Sequence, residues 1–359
     1  MKILYAIQGT GNGHLSRARD IIPILQTKGE VDILISGTQA DVDLPHSITY
    51  RFNGLSFIFG KKGGVDLLET YKKSNIRKLF SEINSLPVEN YDIVINDFEP
   101  VSAWACYLKN KNCIGLSHQS AVLNKNAPQP KHVDVLGKSI LKNYAPVTAQ
   151  YGFHFNSYDE NIFTPVIRQQ VRKLQTRNKG HYTVYLPAYN DERIIEILKE
   201  FPETKWEVFS KHNKEKMQLN NISVCKVNND AFIKSISNSA GVLCGAGFET
   251  PAEALFMKKK LMVIPMKGQY EQHCNAAALK EMGVPVIKSL KAKHIDKIKN
   301  WIDAGSVIPV DYPDITESII DNILQKQTAA DPVISDRKIY SEKSFRKTTL
   351  KKILSQLSA

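Results

Sequence analysis

The apolar positions of this chain fall into short solid runs separated by glycine-rich turns and amphipathic stretches. KILYAIQ (2–8) is a nearly continuous apolar run of strand length, the mark of a strand covered on both faces. After it Leu15, Ala18, Ile22 and Leu25 recur at helical spacing and predict an amphipathic helix. VDILIS, YDIVIND and NCIGLS predict further strands. The programme restarts with HYTVYLPAY, a strand, and DERIIEILKEF, a helix with Ile194, Ile195, Leu198 and Phe201 at helical spacing. WEVFS, ISVCKV, AGVLCG and KLMVIPM follow as short strands. Strands alternating with helices imply an α/β fold, with mostly parallel sheets covered on both faces. Near NIFTPVIRQQVRKLQTRNKG, Pro165 and a basic, polar run interrupt the apolar periodicity. The pattern therefore predicts two Rossmann-like domains joined near residue 167. The tail differs again, ending in a helix with Leu350, Ile353, Leu354 and Leu357 on one stripe and lysines and arginines opposite. That helix is expected to pack back on the body.

Composition narrows the class. A chain of 359 residues, 42% of them hydrophobic, can bury a sizeable core. Its five cysteines are scattered, odd in number and without a CxxC pair, which argues against a disulfide framework or a zinc site and fits a reducing compartment. Apolar Ile3 to Ile7 is too short for a signal peptide, and no apolar run approaches the roughly 20 residues that cross a bilayer, so a cytoplasmic location is expected. The net charge of +12 favours anionic partners such as nucleotides, phospholipid head groups or a phosphorylated acceptor, although lysines that merely solvate the surface account for it equally. No basic or aromatic platform of the kind that binds nucleic acid stands out, so no nucleic-acid partner is expected.

The first glycine turn carries chemistry. In QGTGNGHLSRA (8–18), Gly9, Gly11 and Gly13 do not make a dinucleotide fingerprint, because the third glycine should stand at 14, which is His14. The end of the second strand reads ISGTQ, without the carboxylate that would hold a ribose. A Walker A loop is absent too, since Gly13 is followed by His-Leu. What remains is a loop, Gly11-Asn12-Gly13, whose backbone N–H groups and helix N-terminus face an anion, with His14 at the helix start. The helix dipole is expected to keep that imidazole neutral, the form a general base needs. The alternative is a structural histidine that caps the turn.

The second half supplies a partner. In VLCGAGFETPAEALFMKKKLMVIPMKGQYEQHCNAAAL (242–279), Gly245 and Gly247 follow a strand and Thr250-Pro251-Ala252-Glu253 opens a helix. Thr250 suits an N-cap, Pro251 the first helical position and Glu253 the acid of a capping box, a purely structural account of all three. After KLMVIPM come Gln269, Glu271, Gln272 and Asn275, so polar side chains gather where two adjacent strands end.

The pattern G-x-G-x-x-T-x-x-E-A-L, a strand ending in Pro, then E-Q-x-x-N-A resembles the donor-binding signature of GT-B glycosyltransferases. It is most like the group holding the peptidoglycan lipid-linked GlcNAc transferase, the monogalactosyldiacylglycerol synthases and the UDP-glycosyltransferases. QGTGNGH resembles the loop that opens the N-terminal domain of that group, and the two motifs occur in the family's order. The resemblance implies two Rossmann-like domains facing across a cleft: an acceptor-side domain (1–166), a nucleotide-sugar domain (167–328) and a basic helical tail (329–359). It implies an inverting, metal-independent transfer from a nucleotide diphosphate sugar, UDP-linked by expectation, with no resident cofactor. Glu253 would hold the ribose hydroxyls, and Gly245, Gly247 and Thr250 would frame the diphosphate. Glu271 and Gln272 would read the sugar, with Asn275 one turn on, and His14 would deprotonate the acceptor. Asp97, ending YDIVIND, would orient the histidine, with Glu99 and His118 as rivals.

Two departures stand out: Asn12-Gly13 where the family often has Gly-Gly, and Glu249 where it has Ser or Asn. A carboxylate beside a diphosphate is unfavourable unless it points away or contacts the sugar. No metal cluster is evident, and Asp41-Val42-Asp43 reads as a solvated turn. LSFIFGKKGGVDLLETYKKSNIRKLF (55–80) joins an apolar run to basic residues, either a lip for a lipid-linked acceptor with peripheral membrane contact, or an ordinary strand, loop and helix. Competing readings are a sugar-nucleotide epimerase of the same architecture and a non-catalytic nucleotide-sugar-binding protein.

Overall fold

The computed structural model describes residues 1–37, 44–55, 76–213 and 215–328. Asp41-Val42-Asp43, most of the 55–80 segment and the 329–359 tail lie outside the described residues.

The apolar runs become strands of two separate sheets. The first sheet contains β1 (Lys2–Gln8), β2 (Glu30–Ser36), β3 (Tyr50–Phe52), β4 (Ile93–Asp97), β5 (Ile114–Leu116), β6 (Ala149–Phe153) and β7 (Ile162–Phe163), in the order β3-β2-β1-β4-β5-β6-β7. Every pairing in it is parallel. The second contains β8 (His181–Tyr185), β9 (Lys205–Ser210), β10 (Met217–Leu219), β11 (Ile222–Lys226), β12 (Gly241–Gly245) and β13 (Lys260–Ile264), in the order β10-β11-β9-β8-β12-β13. Only the β10–β11 pair runs antiparallel. Strand order reverses between β1 and β4 in the first sheet and between β8 and β12 in the second. Open α/β sheets leave a crevice at such points, beyond the carboxyl ends of the strands.

The helices cover these sheets as the periodicity predicts. The first helix, Asn12–Lys28, buries Leu15, Ala18, Ile22 and Leu25. The Asp191–Leu198 helix, capped by the Asn190 side chain on the N–H of Arg193, buries Ile194 and Leu198 as expected, but Ile197 in place of the half-buried Ile195, and it ends before Phe201. Trp206 on β9 is the bulkiest fully buried side chain, packed against Tyr182 and Phe201. Near the end of the described chain the Thr316–Thr328 helix returns to the first helix, where Lys28 Nζ pairs with Glu317 at 3.0 Å and Asp321 at 2.8 Å. No helix among the described residues is long and apolar enough to cross a membrane.

Trp206→Ala removes the largest filler of the second sheet's core. It is expected to lower stability by about 3–5 kcal/mol, read as a reduced urea midpoint in far-UV circular dichroism.

Candidate functional site

Both strand-order reversals open onto one cavity of about 690 Å³ between the two halves of the molecule. From the first half it is lined by Gln8 at the end of β1, the turn Thr10–Gly13, His14, Arg17 and Phe98. From the second come Tyr185 at the end of β8, Gly247 to Thr250, Glu253, Glu271 and Gln272. Gly11 adopts a φ of 104°, open to glycine at little cost, and lets the chain turn from β1 into the first helix. Phe98 follows β4 with a φ of 57°, a strained conformation for a bulky residue, and turns the chain sharply beyond Asp97.

His14 occupies the first turn of its helix, and its Nδ1 lies 2.8 Å from Asp97 Oδ1, the last residue of β4. Nδ1–H donating to the carboxylate leaves Nε2 as the acceptor nitrogen, and the Gln119 amide stands 3.5 Å from it. Asp97 is completely buried. Burial pushes its carboxyl pKa up, but the adjoining charges of Arg17 and His14 win and hold it below the ordinary range. For His14 burial works downward, and the Asp97 charge and hydrogen bond outweigh it, so its pKa is raised. The shift is thus upward, opposite to the one expected from the helix dipole. A carboxylate in contact outweighs partial charges at a helix end.

Arg17, one helical turn after His14, was missed in the sequence. It is 1% exposed. Nη2 donates to both oxygens of Asp97 at 2.8 Å, and Nη1 donates to Glu249 Oε1 at 2.5 Å. The available signal was its spacing: an arginine three residues after a histidine shares its helix face. Glu249, the unexpected carboxylate of the second half, therefore reaches across the cleft to Arg17, although its side chain stays 29% exposed at the cavity wall.

The two rivals of Asp97 have other tasks. Glu99 is fully buried as the N-cap of the Pro100–Leu108 helix and accepts from the N–H groups of Val101 and Ser102 and from Ser36 Oγ, each at 2.6 Å. His118 contacts the Phe153 carbonyl through Nδ1 (2.8 Å) and Asn275 Oδ1 through Nε2 (2.7 Å), and stacks on Phe248 at 3.9 Å. That engagement removes Asn275 from the cavity wall. It is fully buried and also donates to the Ala246 carbonyl, so it ties the halves together instead of reaching into the cleft.

The capping account of the 249–256 helix is also corrected. The helix runs Glu249–Phe256 with Phe248 as its N-cap and no side-chain cap, so Thr250 lies inside its first turn. Glu253 is instead clamped by Arg168 of the connecting segment, whose Nε and Nη2 donate to its two oxygens at 2.5 and 2.8 Å. A guanidinium offers two aligned donors to a carboxylate, which a backbone N–H cannot match. Glu271 accepts from Gln119 Nε2 at 2.9 Å, and Gln272 Oε1 accepts from the Met266 N–H at 2.9 Å, holding both side chains at the cavity wall. Gly245, at the end of β12, lies outside the cavity lining. Among the described residues no group of three His, Cys, Asp or Glu side chains is arranged to hold a metal ion.

The comparisons agree with this architecture. Residues 1–304 match the family model described as glycosyl transferase family 1. Solved structures of similar fold include Acinetobacter baumannii MurG, with 14% identity, 90% of this chain and 99% of that one covered, and a TM-score of 0.55. Phytolacca americana UGT2, complexed with UDP-2-fluoro-glucose and pterostilbene, has 12% identity, coverages of 99% and 98%, and a TM-score of 0.55. Streptomyces sp. SF2575 glycosyltransferase SsfS6, complexed with thymidine diphosphate, has 13% identity, coverages of 90% and 99%, and a TM-score of 0.53. No curated protein matches by sequence.

The opposite shifts of His14 and Asp97 set a stability window. A raised His14 pKa contributes stability that is fully present below its unfolded value of 6.5 and lost as pH rises through the folded value. A lowered Asp97 pKa contributes stability present above 3.8 and lost as pH falls through the folded value. Asp97→Asn is expected to cost about 3–5 kcal/mol. Melting curves recorded against pH should show that penalty greatest between about pH 4 and 6.5 and smaller on either side.

Proposed function

The chain belongs to glycosyl transferase family 1, and we propose that it moves a sugar from a UDP-linked donor to an acceptor hydroxyl, with inversion at the anomeric carbon and without a metal ion. The observation that carries this reading is His14. One ring nitrogen is fixed on Asp97, and the residue stands in a cavity whose opposite wall is the start of the Glu249–Phe256 helix.

In the proposed reaction the acceptor oxygen forms a bond to the anomeric carbon as the bond from that carbon to the β-phosphate oxygen breaks. The acceptor proton passes to His14 Nε2, and UDP departs with the bonding electrons. Asp97 stabilises the imidazolium so formed. The backbone N–H groups from Gly247 to Thr250 meet the charge growing on the diphosphate, a role that helix N-termini fill without a cation. Glu253, its carboxylate held by Arg168, accepts from the ribose hydroxyls with its remaining lone pairs. Glu271 and Gln272 read the sugar. Uridine as the base is supported by the UDP-sugar bound to Phytolacca americana UGT2, and the thymidine diphosphate bound to SsfS6 makes dTDP the natural competitor.

The acceptor is proposed to be lipid-linked and met at a membrane surface. Val133 and Val135 are 45% and 76% exposed on a stretch that also carries Lys131 and Lys138. That stretch adjoins the cleft, since Gly137 packs on Tyr270, the neighbour of Glu271. Apolar side chains among cations suit an anionic lipid surface.

Calorimetric titration of UDP, GDP, dTDP and NAD is the first test. UDP is expected to bind, and Glu253→Ala to weaken it by roughly 10- to 100-fold through loss of a charged hydrogen-bond acceptor. His14→Ala is expected to leave UDP binding intact and reduce turnover by more than about 100-fold. Absence of any nucleoside diphosphate binding would sink the reading. For the acceptor side, Val135→Asp is expected to abolish co-sedimentation with vesicles of anionic phospholipid, and failure of the wild type to sediment would count against a lipid-linked acceptor.

A further inference from the structure

We propose that Arg17 and Glu249 are positioning residues for the His14–Asp97 pair: their bridge across the cleft completes the charge balance that His14 needs to take up a proton, and completes it only when the two halves meet. The proposal rests on the reading of His14 as the base.

The geometry is built for this contact. Arg17 divides its terminal nitrogens between two carboxylates that no local sequence brings together, Asp97 at the end of β4 and Glu249, 232 residues away, at the start of the helix after β12. Glu249 needs Gly13 to get there. A Cβ on residue 13 would lie 2.4 Å from Glu249 Oε2, too close to be tolerated without displacing that carboxylate. Gly13 and Glu249, on opposite walls of the cleft, are therefore parts of one contact.

Charge counting gives the contact its role. The groups facing His14 are Arg17 from its own helix, Asp97 from β4, Glu249 from the opposite half, and Gln119, which in turn donates to Glu271. With His14 neutral, Asp97 and Glu249 against Arg17 leave the buried cluster one negative charge, and uptake of the acceptor proton brings it to neutrality. Without Glu249 the cluster starts neutral and ends with an uncompensated positive charge in a buried site, which is costly. Glu249 is among the groups that raise the proton affinity of His14, and Arg17 among those that lower it. Separation of the halves withdraws Glu249 but leaves Arg17 beside the imidazole. Proton abstraction is therefore strongest in the closed arrangement, where the donor wall faces the acceptor wall.

The test is an NMR titration of the His14 ring in the ligand-free, full-length protein with 15N-labelled histidine, comparing wild type, Glu249→Gln and Gly13→Ala. Glu249→Gln removes the charge, and Gly13→Ala displaces the Glu249 carboxylate without removing any ionisable group from the protein. Both are expected to shift the His14 midpoint to lower pH, and Asp97→Asn to shift it in the same direction. A His14 midpoint unchanged in Glu249→Gln and Gly13→Ala would overturn the proposal. Neither donor nor acceptor is present in the titration, so its failure is distinguishable from failure of UDP binding.

Discussion

A buried guanidinium demands carboxylates, and Arg17 takes one from each half of the molecule. Removal of an ion from water costs several kcal/mol even after relaxation, and the cost is met only where the geometry of the partners is good. Arg17 meets it with two hydrogen bonds to Asp97 and one to Glu249. Three elements are thereby set against one another: the first helix, the end of β4, and the start of the helix after β12. His14 lies among them. Its ring orientation, its protonated nitrogen and its affinity for a further proton all follow from where those charges stand.

Polar and stacked contacts between the halves gather at the cleft, beside apolar clusters that themselves include residues of both halves. Gln119 reaches Glu271, and His118 reaches Asn275 while its ring lies on Phe248. Arg168 on the connecting segment holds Glu253. A hydrogen bond to another side chain and one to a ligand hydroxyl differ little in free energy, because each replaces a bond to water. The Gln119–Glu271 contact lies at the cavity wall, where a substrate hydroxyl can replace one partner, whereas Asn275 on His118 and the shared apolar clusters are buried. The two sheets fix the walls of the site, and the contacts between the halves hold those walls face to face.

How much of this was legible in the chain depended on the range of the interaction. Most strands of both sheets were read from runs such as KILYAIQ and KLMVIPM, because a strand buried on both faces needs apolar side chains in succession, whereas β3, β6, β7 and β10, at or beside a sheet edge, went unread. The stripe Leu15, Ala18, Ile22 and Leu25 marked the first helix for the same local reason. Pairings between distant residues left no such trace. Asp97 was one of three candidates for the partner of His14, and nothing in the local pattern could show that Glu99 would be consumed as a helix cap or His118 by Phe153 and Asn275. Arg17 sat in plain view three residues after His14, hidden in a chain whose other cations are mostly surface charges. The capping reading of Thr250 and Glu253 failed because it considered only local partners, and a distant arginine, Arg168, offered the carboxylate a better one.

Glu249 carries the sharpest lesson. Read as a charge beside an expected diphosphate site, it argues against an anionic donor, since two like charges within a few ångströms repel. Paired with Arg17 it stands otherwise. The guanidinium offsets part of its field and turns the carboxylate toward the acceptor wall, although Arg17 also serves Asp97 and the cluster keeps one negative charge while His14 is neutral. The same pairing turns a residue of the donor wall toward the acceptor wall, where a negative charge helps an imidazole to receive a proton. A substitution unfavourable on its own helix becomes compatible with the site once its partner across the cleft is known, and that partner stands on the helix that opens directly from the glycine turn that first marked the chain as a binder of anions.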